Sequence, residues 1–510
     1  MTESENQGSG RGRRTALLAA ALAFVGILFL PTPEGMDPRG MRALAVTVAM
    51  AILWVTEALP IPVTSLLPVL AFPLMGVLSS AEVTAKYAND LIYLFFGGFF
   101  LALTLERWNV HRRIALLVVS AFGSKPRAVI LGIMVAVAGL SMWISNTATA
   151  LMMLPICLAL ADQLKDCGAS KEDVDRFATA LLLGTAYAAN IGGMGTPIGT
   201  GPNGIFMAFF ESAAQPSFAQ WMMFAIPLVV VFVAAAWFLL TGVLFKFAPE
   251  VGFGERDYVR AKLRDMGRLS PQERATLAVF CLTVLLWVTR RDLDLGGFRI
   301  PGWLSGLDAL GMTWTKMLRE RFIGDSAVSI LAVILLCVIR VGPKRQPLAD
   351  WSIGARVPWG MLLLLGGGFA IAGSFGVGGE EGLSLSAYCG AKLGALGEAN
   401  PLFVLPSIAL SVSVLTEFTS NTATTSVMIP LLAEVGSAET SRLLCLTATL
   451  SASCAFMFPV ATPPNAIVFA SGRLRIKTMM KAGIGLNLVG AILIPICVWF
   501  LARLFLPPLN

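Results

Sequence analysis

The chain has 510 residues, of which 56% are hydrophobic and only 14% are charged, and its formal net charge is +7. This composition excludes a water-soluble globular protein, because no soluble core could bury so many long apolar runs. The basic residues stand in short stretches between those runs, which indicates membrane topology rather than a nucleic-acid surface. We therefore expect an all-α polytopic membrane protein that contacts the lipid bilayer and binds no nucleic acid.

The predicted elements begin with a polar tail, residues 1–14, which we expect to be disordered and cytoplasmic. No small-residue cleavage site follows the first apolar run, so we interpret it as a retained span and not as a signal peptide. The basic, Trp-containing segment 107–113 is typical of a helix lying along the cytoplasmic face. The first four predicted spans are residues 15–30, 41–59, 62–78 and 91–106.

A polar cluster then interrupts a long apolar run. Residues 125–164 are long enough to cross a membrane, yet Ser145-Asn146-Thr147-Ala148-Thr149 stands at their middle, and residues 128–161 contain no charged side chain. An unpaired amide or hydroxyl in hydrocarbon costs a few kcal/mol, so this cluster needs partners. Because both flanks are positively charged, we predict a re-entrant hairpin from the cytoplasmic side. The next span starts near Ala178, breaks at residues 192–197 and resumes after Asn203.

The second half of the chain repeats this plan. A second hairpin is predicted at residues 401–434, with Glu417 as the only charged residue between residues 401 and 433, and an extracytoplasmic insert is predicted at 290–322. Charge asymmetry fits about 11 transmembrane helices plus two re-entrant hairpins, with a cytoplasmic N-terminus and an extracytoplasmic C-terminus. The remaining predicted spans are 221–245, 275–289, 323–339, 359–376, 440–470 (broken at residues 462–465) and a last span near the C-terminus.

Three motifs recur in the same order, which indicates an internal duplication. Ser145-Asn146-Thr147-Ala148-Thr149 returns at residues 420–424, Thr200-Gly201-Pro202-Asn203 is matched by Thr462-Pro463-Pro464-Asn465, and Gly97-Gly98-Phe99 by Gly367-Gly368-Phe369. Five predicted spans separate the hairpins; since this number is odd, the second hairpin opens to the opposite side. Interrupted apolar segments at matching places in an inverted-topology repeat are typical of a secondary transporter's binding site.

The chemistry of these motifs favours cation-coupled anion transport. Helix N-termini favour anions, whereas hydroxyl, amide and carbonyl oxygens suit a small hard cation. No Lys, Arg or His lies in either polar cluster or either break, so a bound dianion needs charge from elsewhere, and Na⁺ is the simplest source. A lone Ser-Asn-Thr is more typical of helix–helix packing, but its duplication favours a site. For Glu417 we expect hydrogen bonds within the hairpin, with proton carriage as the alternative.

These residues resemble the divalent anion/sodium symporter family, which includes sodium-coupled dicarboxylate and citrate carriers. The likeness extends from residue 40 to residue 505 and includes Trp54-Val55-Thr56-Glu57-Ala58-Leu59-Pro60 and Glu106-Arg107-Trp108-Asn109-Val110-His111-Arg112. It implies a homodimer working as an elevator, in which a transport domain slides against a scaffold. The implied division is 15–124 and 248–376 (with a cytoplasmic linker) for the scaffold, and 125–247 and 377–510 for the transport domain.

The resemblance also implies the ligands. One Na⁺ site takes Ser141, Ser145, Asn146 and the carbonyl group of Gly199, and the other takes Thr416, Ser420, Asn421 and the carbonyl group of Ala461. The substrate carboxylates meet Asn146, Thr147, Thr200, Asn421, Thr422 and Thr462, with Pro202 and Pro463 shaping the wall.

We therefore expect a Na⁺-coupled symporter of C4-dicarboxylates (succinate, malate, fumarate) in a bacterial inner membrane. The same fold carrying citrate, sulfate or another divalent anion, or acting as an exchanger, stays open. A membrane-embedded enzyme would need a nucleophile with its base in the core, and the only His, His111, is predicted at the interface, so we expect no enzyme. A passive channel would favour a continuous polar pore over two opposed hairpin tips.

Overall fold

The computed structural model describes residues 3–123, 125–210, 215–246, 258–294, 299–305, 323–379, 382–394 and 400–506. These residues are mostly helical, as the apolar runs predict. The helices are, in chain order, Glu3–Phe29, Pro38–Thr56, Ile61–Thr64, Leu67–Leu74, Ser80–Lys86, Asp90–Arg107, Val110–Ser120, Pro126–Ser141, Asn146–Asp166, Lys171–Gly193, Gly201–Phe209, Phe218–Phe238, Tyr258–Asp265, Pro271–Val288, Asp325–Val338, Trp351–Arg356, Trp359–Phe375, Leu385–Lys392, Pro401–Thr416, Asn421–Leu432, Ala438–Ser451, Pro463–Phe469, Ile476–Cys497 and Arg503–Phe505.

The longest apolar helices account for part of the predicted membrane topology. Within the described ranges, six helices are long and apolar enough to cross a membrane: Gly12–Phe29, Pro38–Thr56, Ser80–Arg107, Asn146–Asp166, Phe218–Leu244 and Ile476–Phe505. Two of these include π-helical turns, Leu239–Leu244 and Val498–Ala502. The shorter apolar helices Ile61–Leu74, Asp325–Val338 and Trp359–Phe375 coincide with three further predicted spans, so the count of eleven stays a prediction.

Four composite elements carry the duplicated motifs. Repeat 1 contains helix pair 1 (Pro126–Ser141 and Asn146–Asp166) and broken helix 1 (Lys171–Gly193 and Gly201–Phe209); repeat 2 contains helix pair 2 (Pro401–Thr416 and Asn421–Leu432) and broken helix 2 (Ala438–Ser451 and Pro463–Phe469). Broken helix 1 packs against both members of helix pair 1 and against the second segment of broken helix 2. The two repeats therefore share one packed unit.

Aromatic side chains join the repeats at the centre of the main hydrophobic core. The ring of Phe456, from repeat 2, lies 5.1 Å from that of Tyr187 in broken helix 1 and 6.0 Å from that of Phe232, measured between centroids. All three side chains are fully buried. Burying large aromatic rings contributes strongly to core stability, so this contact fastens the break of repeat 2 to broken helix 1.

Three helix boundaries differ from the predictions. The first helix begins at Glu3, inside the tail predicted to be disordered, because extending an existing helix adds a hydrogen bond per residue without a new nucleation cost. The span predicted at 62–78 is two short helices, each with a proline (Pro62, Pro68) in its first turn, where proline starts a helix well. Broken helix 1 begins at Lys171, because Ser170 caps its charged first turn.

The start of the predicted 290–322 insert is held by a buried ion pair. Arg290 Nε lies 2.5 Å from Asp325 Oδ1, and both side chains are at least nine-tenths buried. Strand Leu293–Asp294 then pairs antiparallel with Arg299–Ile300. Residues 306–322 lie outside the described residues. The predicted interfacial segment 107–113 leads into a helix whose Arg113 is buried in an ion pair with Glu273, at 2.8 Å.

Candidate functional site

Each Ser-Asn-Thr motif lies where one helix of a pair ends and the next begins. The second helices of the pairs start at Asn146 and Asn421, so the free backbone N–H groups of their first turns lie at the two motifs. Ser145 caps its helix, with Oγ accepting from the backbone N–H of Ala148 at 3.2 Å, whereas Ser420 makes no such capping bond. A helix N-terminus attracts an anion, so two such ends suit two carboxylates.

A cluster of uncharged oxygens forms beside the first motif. Ser141 Oγ lies 2.6 Å from Asn146 Oδ1 and 2.8 Å from the carbonyl oxygen of Ala189. The single hydroxyl proton can satisfy only one of these acceptors. The break of broken helix 1 adds the carbonyl oxygen of Gly199, since a Cβ at Gly193 would lie 3.1 Å from that oxygen and 2.9 Å from Asn146 Oδ1. These oxygens are hard and uncharged, and they have more lone pairs than there are protons to bind them. Such a set of oxygens suits Na⁺.

Repeat 2 reproduces this oxygen cluster. Thr416 Oγ1 lies 2.7 Å from Asn421 Oδ1 and 2.8 Å from the carbonyl oxygen of Ala452. Ser141 and Thr416 are both completely buried. In both repeats the hydroxyl four residues before the motif therefore contacts the Asn of that motif, and the cation site predicted at each contact stays a prediction.

Both breaks are held by the asparagine that ends the Thr-x-Pro-Asn motif. Asn203 Nδ2 donates to the carbonyl oxygens of Gly193 (3.0 Å) and Thr196 (2.8 Å). At the corresponding places in repeat 2, Asn465 Nδ2 donates to the carbonyl oxygens ten and seven residues before it, both at 3.0 Å. The sequence contained these asparagines in its repeated motif, but the prediction gave them no role. Their role is to close the unpaired backbone of each break.

The motifs and breaks of both repeats line one cavity of about 740 Å³. It brings together every predicted substrate residue except Pro202, which is buried; its repeat counterpart, Pro464, lines the cavity instead. Of the predicted cation ligands, Ser141 and Thr416 lie behind the cavity surface and reach it through Asn146 and Asn421. The lining residues are Trp54, Val55, Thr56, Glu57, Ile61, Phe99, Ser145, Asn146, Thr147, Asn190, Gly199, Thr200, Gly201, Met361, Glu417, Phe418, Thr419, Ser420, Asn421, Thr422, Val460, Ala461, Thr462, Pro463, Pro464 and Ala466.

The charge of this lining is negative. Among the described residues that form it, none is Lys, Arg or His, while two are the carboxylates Glu57 and Glu417. Fixed side chains therefore supply no positive charge to a bound anion. The attraction for a bound anion must therefore come from helix N-termini, from hydroxyl and amide donors, and from cations that enter the cavity together with the anion.

Glu417 bonds to the other element of its repeat. Its carboxylate is 1% exposed and accepts hydrogen bonds from the backbone N–H groups of Phe456 (2.7 Å), Met457 (2.9 and 3.0 Å) and Phe458 (3.3 Å). Asn487 Nδ2, in the last long helix, donates to it at 2.9 Å. The expectation of hydrogen bonds within the hairpin was therefore wrong, because the Glu417 carboxylate accepts from the N–H groups that the break of broken helix 2 leaves unpaired.

The prediction missed Asn190. This residue of broken helix 1 is 1% exposed and lines the cavity, and its Nδ2 reaches Thr462 Oγ1 of repeat 2 at 3.1 Å. An amide in a predicted span was the available signal, as it was for Asn146. The signal was not used because Asn190 belongs to no repeated motif, and its partner is distant in sequence.

A family model for the transmembrane region of sodium:sulfate symporters matches residues 12–506 of the chain. The chain belongs to this family. The resemblance inferred from the two Ser-Asn-Thr motifs is thereby confirmed, and the protein is a multi-pass membrane protein of a transporter family.

Two relatives are similar over almost their whole length. The sodium-dependent dicarboxylate transporter SdcS of Staphylococcus saprophyticus is 37% identical over 506 residues, covering 98% of this chain and 93% of the relative. SdcS of Staphylococcus aureus is 36% identical, covering 97% and 92%. Among solved structures, MtrF of Neisseria gonorrhoeae aligns over 84% of each chain with a TM-score of 0.49 and 11% identity, a likeness too weak to carry an inference.

Proposed function

We propose that the protein is a secondary active transporter that couples uptake of C4-dicarboxylates (succinate, malate and fumarate) to Na⁺. One observation carries this proposal: two matching clusters of uncharged oxygens flank a single cavity whose described lining contains no basic side chain. A dicarboxylate bound there has no basic side chain to balance its two charges, and Na⁺ at the two clusters would supply the missing positive charge. The two SdcS relatives, named as sodium-dependent dicarboxylate transporters, support the same coupling ion and substrate class.

The proposed roles divide between cation and substrate. One Na⁺ is bound by Ser141, Ser145, Asn146 and the carbonyl group of Gly199; the second, by Thr416, Ser420, Asn421 and the carbonyl group of Ala461. The substrate carboxylates face the two helix N-termini, where backbone N–H groups can donate. Side-chain hydroxyl and amide groups complete the proposed substrate contacts, and prolines such as Pro463 form part of the cavity wall. The residues with these groups are Asn146, Thr147, Thr200, Asn421, Thr422 and Thr462.

We further propose an elevator mechanism in a homodimer of the inner membrane. In it, residues 125–247 and 377–510 form the moving transport domain, and residues 15–124 and 248–376 form the scaffold. The origin of the cavity lining supports this division, because Trp54–Glu57, Phe99 and Met361 come from the proposed scaffold, whereas both Ser-Asn-Thr motifs and both breaks come from the proposed transport domain. Motion of one part against the other would carry the two motifs past the scaffold side of the cavity.

The decisive experiment measures uptake of labelled succinate into proteoliposomes under an inward Na⁺ gradient. We expect uptake with Na⁺, none with K⁺ or a proton gradient, and competition by malate and fumarate. Uptake without Na⁺ that is driven by internal dicarboxylate would make the protein an exchanger and contradict the cation sites. Na⁺-driven uptake of labelled citrate or sulfate, with no succinate uptake, would keep the mechanism and replace the substrate.

Substitutions test the site assignment in the same assay. Asn146→Ala and Asn421→Ala each remove an oxygen from a cluster and a donor from a helix N-terminus. We expect either substitution to abolish Na⁺-driven uptake while the purified protein keeps its wild-type elution volume in gel filtration. Unchanged uptake in both variants would overturn the assignment.

A further inference from the structure

Asn190 joins the first cation cluster to the substrate side of the second repeat. It follows Ala189, whose carbonyl oxygen accepts the Ser141 hydroxyl. Its side chain reaches the other repeat, with Nδ2 3.1 Å from Thr462 Oγ1 and 3.4 Å from the carbonyl oxygen of Ala455. It is buried and lines the cavity.

The orientation of this amide follows from its neighbours. A carbonyl oxygen can only accept, so the side of the Asn190 amide that faces Ala455 must carry the N–H groups. The same nitrogen faces Thr462, and Thr462 Oγ1 therefore accepts a hydrogen bond from Asn190. Thr462 Oγ1 also accepts from the backbone N–H of Asn465 at 3.4 Å, at the start of the second segment of broken helix 2.

Counting protons at Thr462 leaves one free donor. A threonine hydroxyl has two lone pairs and one proton, and both lone pairs are engaged here. The remaining group is the O–H proton, and Thr462 lines the cavity. The group that this O–H can bind in the cavity is a hydrogen-bond acceptor, and a carboxylate oxygen is a strong one.

The corresponding threonine of repeat 1 lacks this arrangement. Thr200 precedes its helix as Thr462 does, but its side chain caps no backbone N–H. Because the carbonyl groups of Ala189 and Ala452 correspond, the counterpart of Asn190 is Ser453, whose buried hydroxyl has no hydrogen-bond partner within the described part of the chain. Among the described residues, the contact that orients the threonine hydroxyl is therefore found at the Thr462 end of the cavity and not at the Thr200 end.

We propose that Asn190 is a positioning residue that fixes the Thr462 hydroxyl as a donor to one substrate carboxylate, so that the two ends of the binding site are unequal. This role rests on the proposed function, since it requires a carboxylate in the cavity. Asn190 acts on the substrate through Thr462 and takes no part in binding Na⁺.

The test measures the succinate KM and the Na⁺ concentration for half-maximal uptake in proteoliposomes. Asn190→Ala should raise the KM about tenfold, the size expected from weakening one hydrogen bond to a carboxylate, with the Na⁺ requirement unchanged. Asn190→Ser, which introduces the residue of the other repeat, should act in the same direction. Asn190→Asp should raise the KM further, because the introduced carboxylate would accept the Thr462 proton. Ser453→Ala is the matched control and should behave as wild type.

A double-mutant cycle separates positioning from general packing. If Asn190 acts through the Thr462 hydroxyl, adding Asn190→Ala to Thr462→Val should raise the KM no further, whereas a packing role would multiply the two effects. Full multiplication, or a wild-type KM in both Asn190→Ala and Asn190→Ser, would overturn the role. Wild-type protein without Na⁺-dependent succinate uptake would instead overturn the proposed function, which this set of assays measures first.

Discussion

At the scale of single residues, the two oxygen clusters differ by one methyl group. Ser141 and Thr416 hold equivalent hydroxyls against Asn146 and Asn421, at 2.6 and 2.7 Å. In each cluster the single hydroxyl proton is shared by two acceptor oxygens, and a cation would bind the oxygen lone pairs that have no proton. Because these contacts lie within about 3 Å, a methyl group added beside the cluster would have to displace one of its oxygens.

Gly193→Ala tests this crowding in repeat 1. The added methyl would lie 2.9 Å from Asn146 Oδ1 and 3.1 Å from the carbonyl oxygen of Gly199. Such an overlap costs about 1–3 kcal/mol, so the Na⁺ concentration for half-maximal uptake should rise about tenfold or more. Gly139→Ala is the control, because nothing lies within 4 Å of a Cβ at this helical glycine. An unchanged Na⁺ requirement in Gly193→Ala would contradict a cation cluster at this position.

The residue types of the site could be read from the sequence, but their partners could not. An Asn or Thr in an apolar run without charged residues needs a hydrogen-bond partner, and the duplication singled out the Ser-Asn-Thr motifs as the predicted site. Asn190 shows the limit. Its partner, Thr462, is 272 positions away and belongs to the other repeat. Pairing at that distance depends on how the repeats interlock, which no local pattern contains.

At the scale of elements, helix pair 2 and broken helix 2 are tied by a carboxylate that repeat 1 lacks. The position of Glu417, three residues before Ser420, is occupied in repeat 1 by Met142, three residues before Ser145. Glu417 pairs the N–H groups of three successive residues in the break of broken helix 2. Glu417 was conspicuous in the sequence as the only charged residue between residues 401 and 433, yet the free N–H groups that it binds arise only where the helix is broken.

Glu417→Gln should destabilise the protein without changing its shape. The introduced amide nitrogen would face backbone N–H groups, leaving at least one buried donor without an acceptor at a cost of about 1–3 kcal/mol. The expected result is a lower midpoint of thermal unfolding for the purified protein in detergent.

Glu439→Gln provides the comparison for that measurement. Glu439 is half exposed and pairs with Arg503 at 2.6 Å, and such surface pairs contribute less than about 1 kcal/mol. Its unfolding midpoint should stay near that of wild type. Equal midpoints for Glu417→Gln and wild type would show that the break does not depend on the carboxylate.

At the scale of the whole molecule, the duplicated glycine pairs mark where the proposed scaffold meets the proposed transport domain. A Cβ at the first glycine of each pair would contact the scaffold itself: Gly97 meets Ser329 and Gly367 meets Ser65. A Cβ at the second would contact the transport domain, as Gly98 meets Ile198 at 3.0 Å. The equivalence of the two pairs, which the sequence predicted, thus extends to their surroundings.

Gly368→Ala therefore tests the proposed motion. The added Cβ would lie 2.5 Å from Ser426 Oγ and 2.8 Å from Ile205 Cδ1, both in the proposed transport domain. If this surface must slide during transport, the methyl obstructs it, while the oxygen clusters, which Gly368 does not contact, stay intact. We expect a lower maximal rate of succinate uptake with an unchanged Na⁺-induced rise in the unfolding temperature.

Gly26→Ala, where a Cβ has no neighbour within 4 Å, should transport at the wild-type rate. A wild-type rate in Gly368→Ala would mean that this contact is static, and a loss of the Na⁺ response would mean that the glycine supports the cation site instead.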